Sequence, residues 1–357
     1  MHQSRHEAMK LTPAKLLFGG MAIGAALLLR RSSRRPRYSF REKSVFITGG
    51  SRGLGLEIAR VLACEGALLT IVGRNEAKLE MARIELESYG NKVLAIACDV
   101  RDPDSVQSAV NQVIDERGRI DILINNAGVI QVGPFEQMTT DDYENAMATH
   151  LWGPLNTIRS VVPYMRQNQG GRIVNISSIG GKVGVPHLLP YTMSKFALAG
   201  LSQGLAAELA HDGIQVTAIY PGLMRTGSHV NACFRGNYRG EYAWFSVSAG
   251  MPIVSIHSRR AARQIVEACR SGKTELIITP TAKLAALANA ILPSLVARSL
   301  QLTNAMLPAP VTNTSQHSGW ESASKWSPSL LTKLADKAIE RNNEDGLAED
   351  FPNAYSQ

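Results

Sequence analysis

A glycine-rich turn, Thr48-Gly49-Gly50-Ser51-Arg52-Gly53-Leu54-Gly55, joins the β-rich run Ser44–Thr48 to a segment with helical apolar spacing at Leu54, Ile58, Val61 and Leu62. Glycines between a strand and a helix let the backbone turn tightly and approach a pyrophosphate, whose charge the helix N-terminus favours. A lone glycine triplet is weak, and a plain βα turn is the alternative. The strand–helix context points instead to a dinucleotide cradle.

The same alternation continues downstream. Strands are expected over Leu68–Val72, Lys92–Cys98, Ile120–Ile124, Arg172–Ile176, Gln215–Tyr220 and Glu275–Thr279. Helices are expected over Gly53–Glu65, Glu76–Tyr89, Pro103–Glu116, Asp141–Arg166, Thr192–Ala210 and Arg259–Arg270. Nearly all-apolar strands separated by helices indicate a parallel sheet covered on both faces. The expected fold is therefore α/β, a doubly wound parallel sheet of Rossmann type in a single domain over 44–280. Ligands in such a sheet sit beyond the strand C-termini. The glycine turn, Asn125–Gly128, Ser178 and Pro221-Gly222 all follow strands and should converge there.

The cofactor's identity is read at the end of the second strand, where a carboxylate would hold the ribose 2′-hydroxyl of NAD. Here the residues are Gly73-Arg74-Asn75, with no acid. Arg74 and Arg52 can pair with a 2′-phosphate, which favours NADP(H) over NAD; solvated turn arginines are the alternative. Asp99, after the third strand, is placed to accept from an adenine amino group.

Tyr191 and Lys195 lie one helical turn apart, and Ser178 precedes the tyrosine by thirteen residues. A phenol titrates near 10 and needs a neighbouring positive charge to work near neutrality. Lys195 shares the face of Tyr191 and can supply it. Ser178 can hold a substrate oxygen. The hydride belongs to the cofactor, so the chemistry needs no metal.

Five pieces, TGGSRGLG at Thr48–Gly55, NNAG at Asn125–Gly128, Ser177-Ser178, YTMSK at Tyr191–Lys195 and PGLMRT at Pro221–Thr226, resemble the short-chain dehydrogenase/reductase family over residues 44–280. The resemblance implies an NAD(P)-dependent oxidoreductase interconverting a carbonyl and an alcohol. It gives Tyr191 as proton donor and acceptor and Ser178 as holder of the substrate oxygen. Lys195 would bind the nicotinamide ribose and lower the tyrosine pKa. Asn126 would support the sheet near the cofactor, and Thr226 would contact the carboxamide. The expected cofactor-binding set is Gly49, Ser51, Arg52, Gly53, Leu54, Gly55, Arg74, Asp99, Asn126, Tyr191, Lys195, Pro221 and Thr226. One position departs: His150 stands where the family usually has an asparagine that holds a water in the proton relay. The histidine can hold that water, relay the proton itself, or be a packing substitution.

The net charge of +8 is carried by residues 1–43, which hold ten Lys/Arg and two Asp/Glu, leaving 28 of each sign elsewhere. A neutral body argues against nucleic acid as a partner. Leu16–Leu29 is uncharged and apolar; with Leu11–Lys15 it reaches about 28 Å as a helix, enough for a thin bilayer. Arginines follow at once, at Arg30, Arg31, Arg34, Arg35 and Arg37. An N-terminal membrane anchor with the body on the cytoplasmic side is expected; a signal peptide, a buried helix or an organelle transit peptide are the alternatives. Cys64, Cys98, Cys233 and Cys269 are scattered and read as reduced thiols.

Gly227–Ile256 contains Phe234, Tyr238, Tyr242, Trp244 and Phe245, which either line a pocket for a lipophilic substrate or pack a lid. Residues 281–357 read as a helical extension and tail. Thr281–Leu307 is Ala/Leu-rich and broken at Pro293, fit to cover the core or form a face of a homo-oligomer. Thr312–Ser327 reads as linker, Leu330–Arg341 as a short helix, and the acidic end as loose. Two other functions stay open on the same fold: a dinucleotide-binding redox sensor without turnover, and an epimerase or dehydratase.

Overall fold

Seven parallel strands form the central sheet: β1 Ser44–Thr48, β2 Leu68–Gly73, β3 Leu94–Ala97, β4 Ile122–Asn125, β5 Gly171–Ile176, β6 Ile214–Pro221 and β7 Glu275–Ile278. Their spatial order is β7-β6-β5-β4-β1-β2-β3. The computed structural model describes residues 37–251, 255–312, 315–322, 338–339 and 341–344; those from Ser39 onward belong to one compact unit. Every residue of β1 is buried, as a strand covered on both faces requires.

Strand β1 pairs with β2 on one side and β4 on the other, Val45 lying opposite both Leu69 and Ile122. The winding reverses between β1 and β4. Connections leave in opposite directions there and open a crevice above the strand C-termini. One apolar layer joins Phe46, Ile96 and Ile173 of the sheet to Val106 and Val110 of α3 (Pro103–Arg117) and Ile158 of α5 (Gly153–Gln167). Elsewhere α1 (Gly53–Ala63) packs against α8 (Ser258–Ser271), which buries Ala261, Ala262, Ile265 and Val266. Helix starts are locally encoded. Asn75 caps α2 (Glu76–Glu87) by accepting from the Lys78 N–H, and Asp102 caps α3 ahead of Pro103.

The expected continuous helix over Asp141–Arg166 is interrupted. Helix α4 (Thr140–Met147) passes through a π-type turn at Ala148–Trp152 into α5, with the Gly153 N–H donating to the Ala148 carbonyl. Pro154 has no N–H to offer His150. A Cβ at Gly153 would meet Val100 at 2.8 Å, so the glycine lets the widened turn lie against the end of β3.

Helix α6 (Leu189–Glu208) packs on β6, and α7 (Tyr238–Gly250) lies against the short strand Cys233–Arg235. Beyond β7, α9 (Pro280–Ile291) buries only Ala282, and α10 (Pro293–Ala305) buries no residue. This helix pair therefore does not cover the core. The expected linker contains a strand, Gln316–Ser318, antiparallel to Cys233–Arg235. The tail expected to be loose is buried at Asn342, Asn343 and Glu344. Of the short helix expected over Leu330–Arg341, residues 330–337 and 340 lie outside the described residues. So does the apolar run expected as an anchor. Among the described residues no helix is long and apolar enough to cross a membrane.

Buried amides tie β4 to β5. Asn125 Nδ2 donates to Asn175 Oδ1 (2.9 Å), Asn175 Nδ2 to Ser202 Oγ (3.0 Å), and Thr157 Oγ1 to Asn125 Oδ1 (2.7 Å). Replacing one member strands its neighbours in a dry interior. Asn175→Ala is expected to lower unfolding free energy by about 2 kcal/mol, read by urea denaturation; no change would show that the chain of amides is dispensable.

Candidate active site

The strand C-termini surround one cavity of about 970 Å³. Of the residues expected from sequence, Gly49, Ser51, Arg52, Gly53, Leu54, Arg74, Asp99, Asn126, His150, Ser178, Tyr191, Lys195, Pro221 and Thr226 all line it. Gly55 lies beneath: a Cβ there would collide with the Gly49 carbonyl, so this glycine lets α1 start hard against the turn. Gly49 adopts φ +62°, and a Cβ would meet Ala127 Cα at 3.0 Å, which restricts the position to glycine.

A clasp joins the glycine turn to the loop after β4. Asn126 Nδ2 donates to the carbonyls of Thr48 (3.1 Å) and Gly49 (3.0 Å). Thr48 Oγ1 accepts from the N–H groups of Asn126 (2.9 Å) and Ala127 (3.0 Å). These bonds fix the two lips of the β1/β4 crevice relative to each other.

The cradle fits a nicotinamide dinucleotide. Its turn cannot carry side chains at Gly49 or Gly55, and Arg52, Arg74 and Lys78 stand at the end where the β2 strand finishes. Lys78 is not among the residues the sequence singles out; its side chain is buried once α2 folds beside the glycine turn. Arg52 Nη1 donates to Asn231 Oδ1 at 2.9 Å. Asp99 is engaged by Arg101, which donates to its carboxylate through Nε (2.9 and 3.0 Å) and Nη2 (2.6 Å). Burial pushes this carboxyl up, but the Arg101 bonds outweigh it and hold it below the usual range.

Ser178, Tyr191 and Lys195 come together at the other end. The Ser178 hydroxyl accepts from the Gly180 N–H (3.1 Å) and faces the Tyr191 phenol, on which it exerts a pull that favours the phenolate. Lys195 Nζ donates to the Ile176 carbonyl (2.9 Å) and lies 5.5 Å from the centre of the Tyr191 ring. Ser177 Oγ donates to the Lys195 carbonyl (2.8 Å), pinning α6 to the end of β5.

The protein alone does not depress the phenol's pKa. Burial pushes Tyr191 up, against the pull of Ser178. Burial also brings the neighbouring Lys195 ammonium down to about 7, so near neutrality it carries only part of the expected charge.

His150 sits in the π-type turn, fully buried. Its Nε2 accepts from the Val129 N–H (3.1 Å), and its Nδ1 lies 2.7 Å from Ser194 Oγ, which donates to the Tyr191 carbonyl (2.8 Å). The Val129 bond fixes the proton on Nδ1. Burial and then the Lys195 charge hold the imidazole well below its usual range, so it is neutral.

The wall around Tyr191 is largely apolar, with Ile130, Val185, Leu188, Met224, Trp244 and Phe245. Of the five aromatics in the variable stretch, only Trp244 and Phe245 line the cavity; Phe234 and Tyr242 pack behind them in the same buried cluster as Phe245 and Leu188. Glu241 holds α7 in place, accepting from Trp244 Nε1 (2.6 Å) and lying 2.8 Å from His187 Nδ1. A further lining residue, Glu344, comes from the far end of the chain.

The short-chain dehydrogenase family model matches residues 43–232. Oxidoreductase UcpA of Salmonella typhimurium is 42% identical over 185 residues, 52% of this chain and 70% of that one. The 3-ketodihydrosphingosine reductase of Bacteroides thetaiotaomicron is 39% identical over 183 residues, 51% of this chain and 64% of that one. L-sorbose reductase from Gluconobacter frateurii, solved with NADPH and L-sorbose, superposes with a TM-score of 0.61 at 27% identity, covering 68% of this chain and 97% of that one. The chain belongs to the short-chain dehydrogenase family: it is an oxidoreductase that uses a nicotinamide dinucleotide on a small-molecule substrate.

Burial of Lys195 has a measurable consequence for stability. The folded chain releases this proton near 7, whereas an unfolded lysine holds it to about 10.5. The unfolded state binds more protons across that window, so stability rises with pH through it. Lys195→Met is expected to lose this contribution, giving a flatter stability profile between pH 7 and 10 than the parent. Parallel profiles would show that the lysine keeps its ordinary pKa.

Proposed function

We propose that the protein is an NADP(H)-dependent reductase of a lipophilic ketone or aldehyde, running in reverse as an alcohol dehydrogenase. One observation carries the reading. A single cavity has Arg52, Arg74 and Lys78 at the end beyond β2, and Ser178, Tyr191 and Lys195 against an apolar wall at the other. Three cations and no carboxylate at Gly73-Arg74-Asn75 suit a 2′-phosphate. L-sorbose reductase was solved with NADPH, which supports the same preference.

When bound, the reduced nicotinamide supplies a hydride to the carbonyl carbon. The residues here supply the rest. The Ser178 hydroxyl holds the carbonyl oxygen, and the Tyr191 phenol gives that oxygen its proton. Lys195, with an ammonium near 7, is matched to return a proton toward the phenol and to bind the nicotinamide ribose. His150 acts as a positioning residue. Both of its ring nitrogens are already used, one by Val129 and one by Ser194, so it orients the α6 segment that carries Tyr191.

Three features support an apolar substrate met at a membrane. The run Leu11–Leu29, followed by arginines, suits an anchor with the body on the cytoplasmic side. Helices α9 and α10 expose Leu284, Leu287, Ile291, Leu295 and Leu302, and the Bacteroides relative is by name a reductase of a sphingoid ketone. Exposed Leu189, Met193 and Phe196 on α6 suit a homo-oligomer contact.

The test is oxidation of NADPH against long-chain ketones and aldehydes, read at 340 nm beside NADH. Tyr191→Phe is expected to lower kcat about 10³-fold with the fold intact. Arg74→Ala is expected to raise KM for NADPH about tenfold and to leave that for NADH within about twofold. Full turnover by the phenylalanine variant would overturn the assignment of the proton donor. Equal use of NADH and NADPH by the parent would overturn the cofactor preference.

A further inference from the structure

In the segment Arg341–Glu344 the first residue is exposed, but Asn342, Asn343 and Glu344 are buried. It is seated in the glycine-turn end of the cavity, close to 290 residues away in sequence from the turn it touches. The Asn342 carbonyl accepts the Gly53 N–H at 2.9 Å. The Asn343 side-chain amide donates to the carbonyls of Ser51 (3.0 Å) and Lys78 (3.3 Å), and its Oδ1 accepts from Lys78 Nζ at 3.4 Å. The Glu344 carboxylate accepts the Gly227 N–H and lies so close to Gly53 that a Cβ there would meet its Oε1 at 3.1 Å. Asn231 Nδ2 approaches the Glu344 carbonyl at 3.4 Å.

These partners are the groups a dinucleotide needs. Gly53 begins α1, where backbone N–H groups and the helix dipole favour an anion. Arg52 and Lys78 are cations of the same end, and Gly227 follows Thr226 on the loop beyond β6. A carboxylate and a carbonyl oxygen thus stand on the donors that phosphate oxygens would use. One N–H cannot serve both, and the two groups cannot share the volume.

We infer that Arg341–Glu344 is a built-in strap that competes with NADP(H) for the glycine turn, so that the dinucleotide enters only as the strap leaves. This rests on the dinucleotide reading of the cavity. The construction of the segment suits displacement. Its root is held outside the cavity: Arg60 donates to the Arg341 carbonyl (2.8 Å), the Arg341 guanidinium lies 3.5 Å from Glu57, and Asn342 Nδ2 reaches Ser258 Oγ at 3.4 Å. Its tip is polar and holds a carboxylate out of water. Burial pushes that carboxyl up to about 7, against the pull of the Gly227 N–H and Arg52. A group that is costly to keep buried is readily exchanged for a better anion. The apparent affinity for the dinucleotide is then the intrinsic affinity multiplied by the fraction of molecules with the strap out.

The test compares full-length protein with Glu344→Ala and Asn343→Ala, by calorimetric titration with NADPH and by hydrogen exchange over residues 338–344. Each variant removes strap contacts and is expected to bind NADPH about tenfold more tightly. In the parent, NADPH is expected to speed exchange in this segment, a readout that needs neither variant to fold. Unchanged or weaker binding by folded variants would overturn the strap, as would slower exchange on adding NADPH, the sign of a clamp that closes over the cofactor. Those results leave the dinucleotide reading standing. Failure of every chain to bind NADPH or NADH would overturn both.

Discussion

The site depends on the reversal of winding between β1 and β4. Every other connection in the sheet lies against a neighbour, but at this seam the chain leaves in opposite directions and the backbone must be held apart and in register at once. Asn126 and Thr48 do this with four hydrogen bonds across the crevice. The Gly49 and Gly50 N–H groups are taken by the Val72 carbonyl, and the Gly53 N–H at the start of α1 is taken by the Asn342 carbonyl. Gly49 and Gly55 keep the space above them clear because side chains would collide with Ala127 and with the turn itself.

Burial then sets the chemistry. Lys195 is taken out of water between β5 and α6, and its carbonyl partner at Ile176 satisfies only one of three donors. The ammonium falls to about 7 while the phenol beside it rises. Protein alone therefore holds the pair near a neutral Tyr191 and a half-charged Lys195. A positive nicotinamide ring beside the phenol is the charge that would favour the phenolate, which couples proton transfer to the redox state of the cofactor.

The sheet was legible because each strand is an apolar run buried on two faces, and the catalytic residues were legible because they follow strands at fixed places. What escaped the sequence depends on distant contacts. The break at Ala148–Trp152 hides inside helical spacing; Gly153-Pro154 was the available signal, but its meaning requires knowing that Val100 lies against it. Asp99 lines the cavity as its place after β3 suggests, but its pairing with Arg101, two residues on, shows only in the structure. Lys78 is one helix residue among others until α2 is placed beside the glycine turn. Arg341–Glu344 is polar and near the chain end, which locally reads as a loose tail; only the cations and N–H groups of the glycine turn give it a place to bind.

The central claim is that one crevice holds the dinucleotide along its length and brings the nicotinamide to Tyr191. A crystal structure with bound NADPH tests it most directly. The pyrophosphate is expected on the Gly53 N–H, where the strap now lies, with the nicotinamide C4 facing the Tyr191 hydroxyl and room between them for a carbonyl whose carbon meets C4 and whose oxygen meets the phenol. A dinucleotide bound elsewhere, or one bound with Tyr191 far from the nicotinamide, would contradict it.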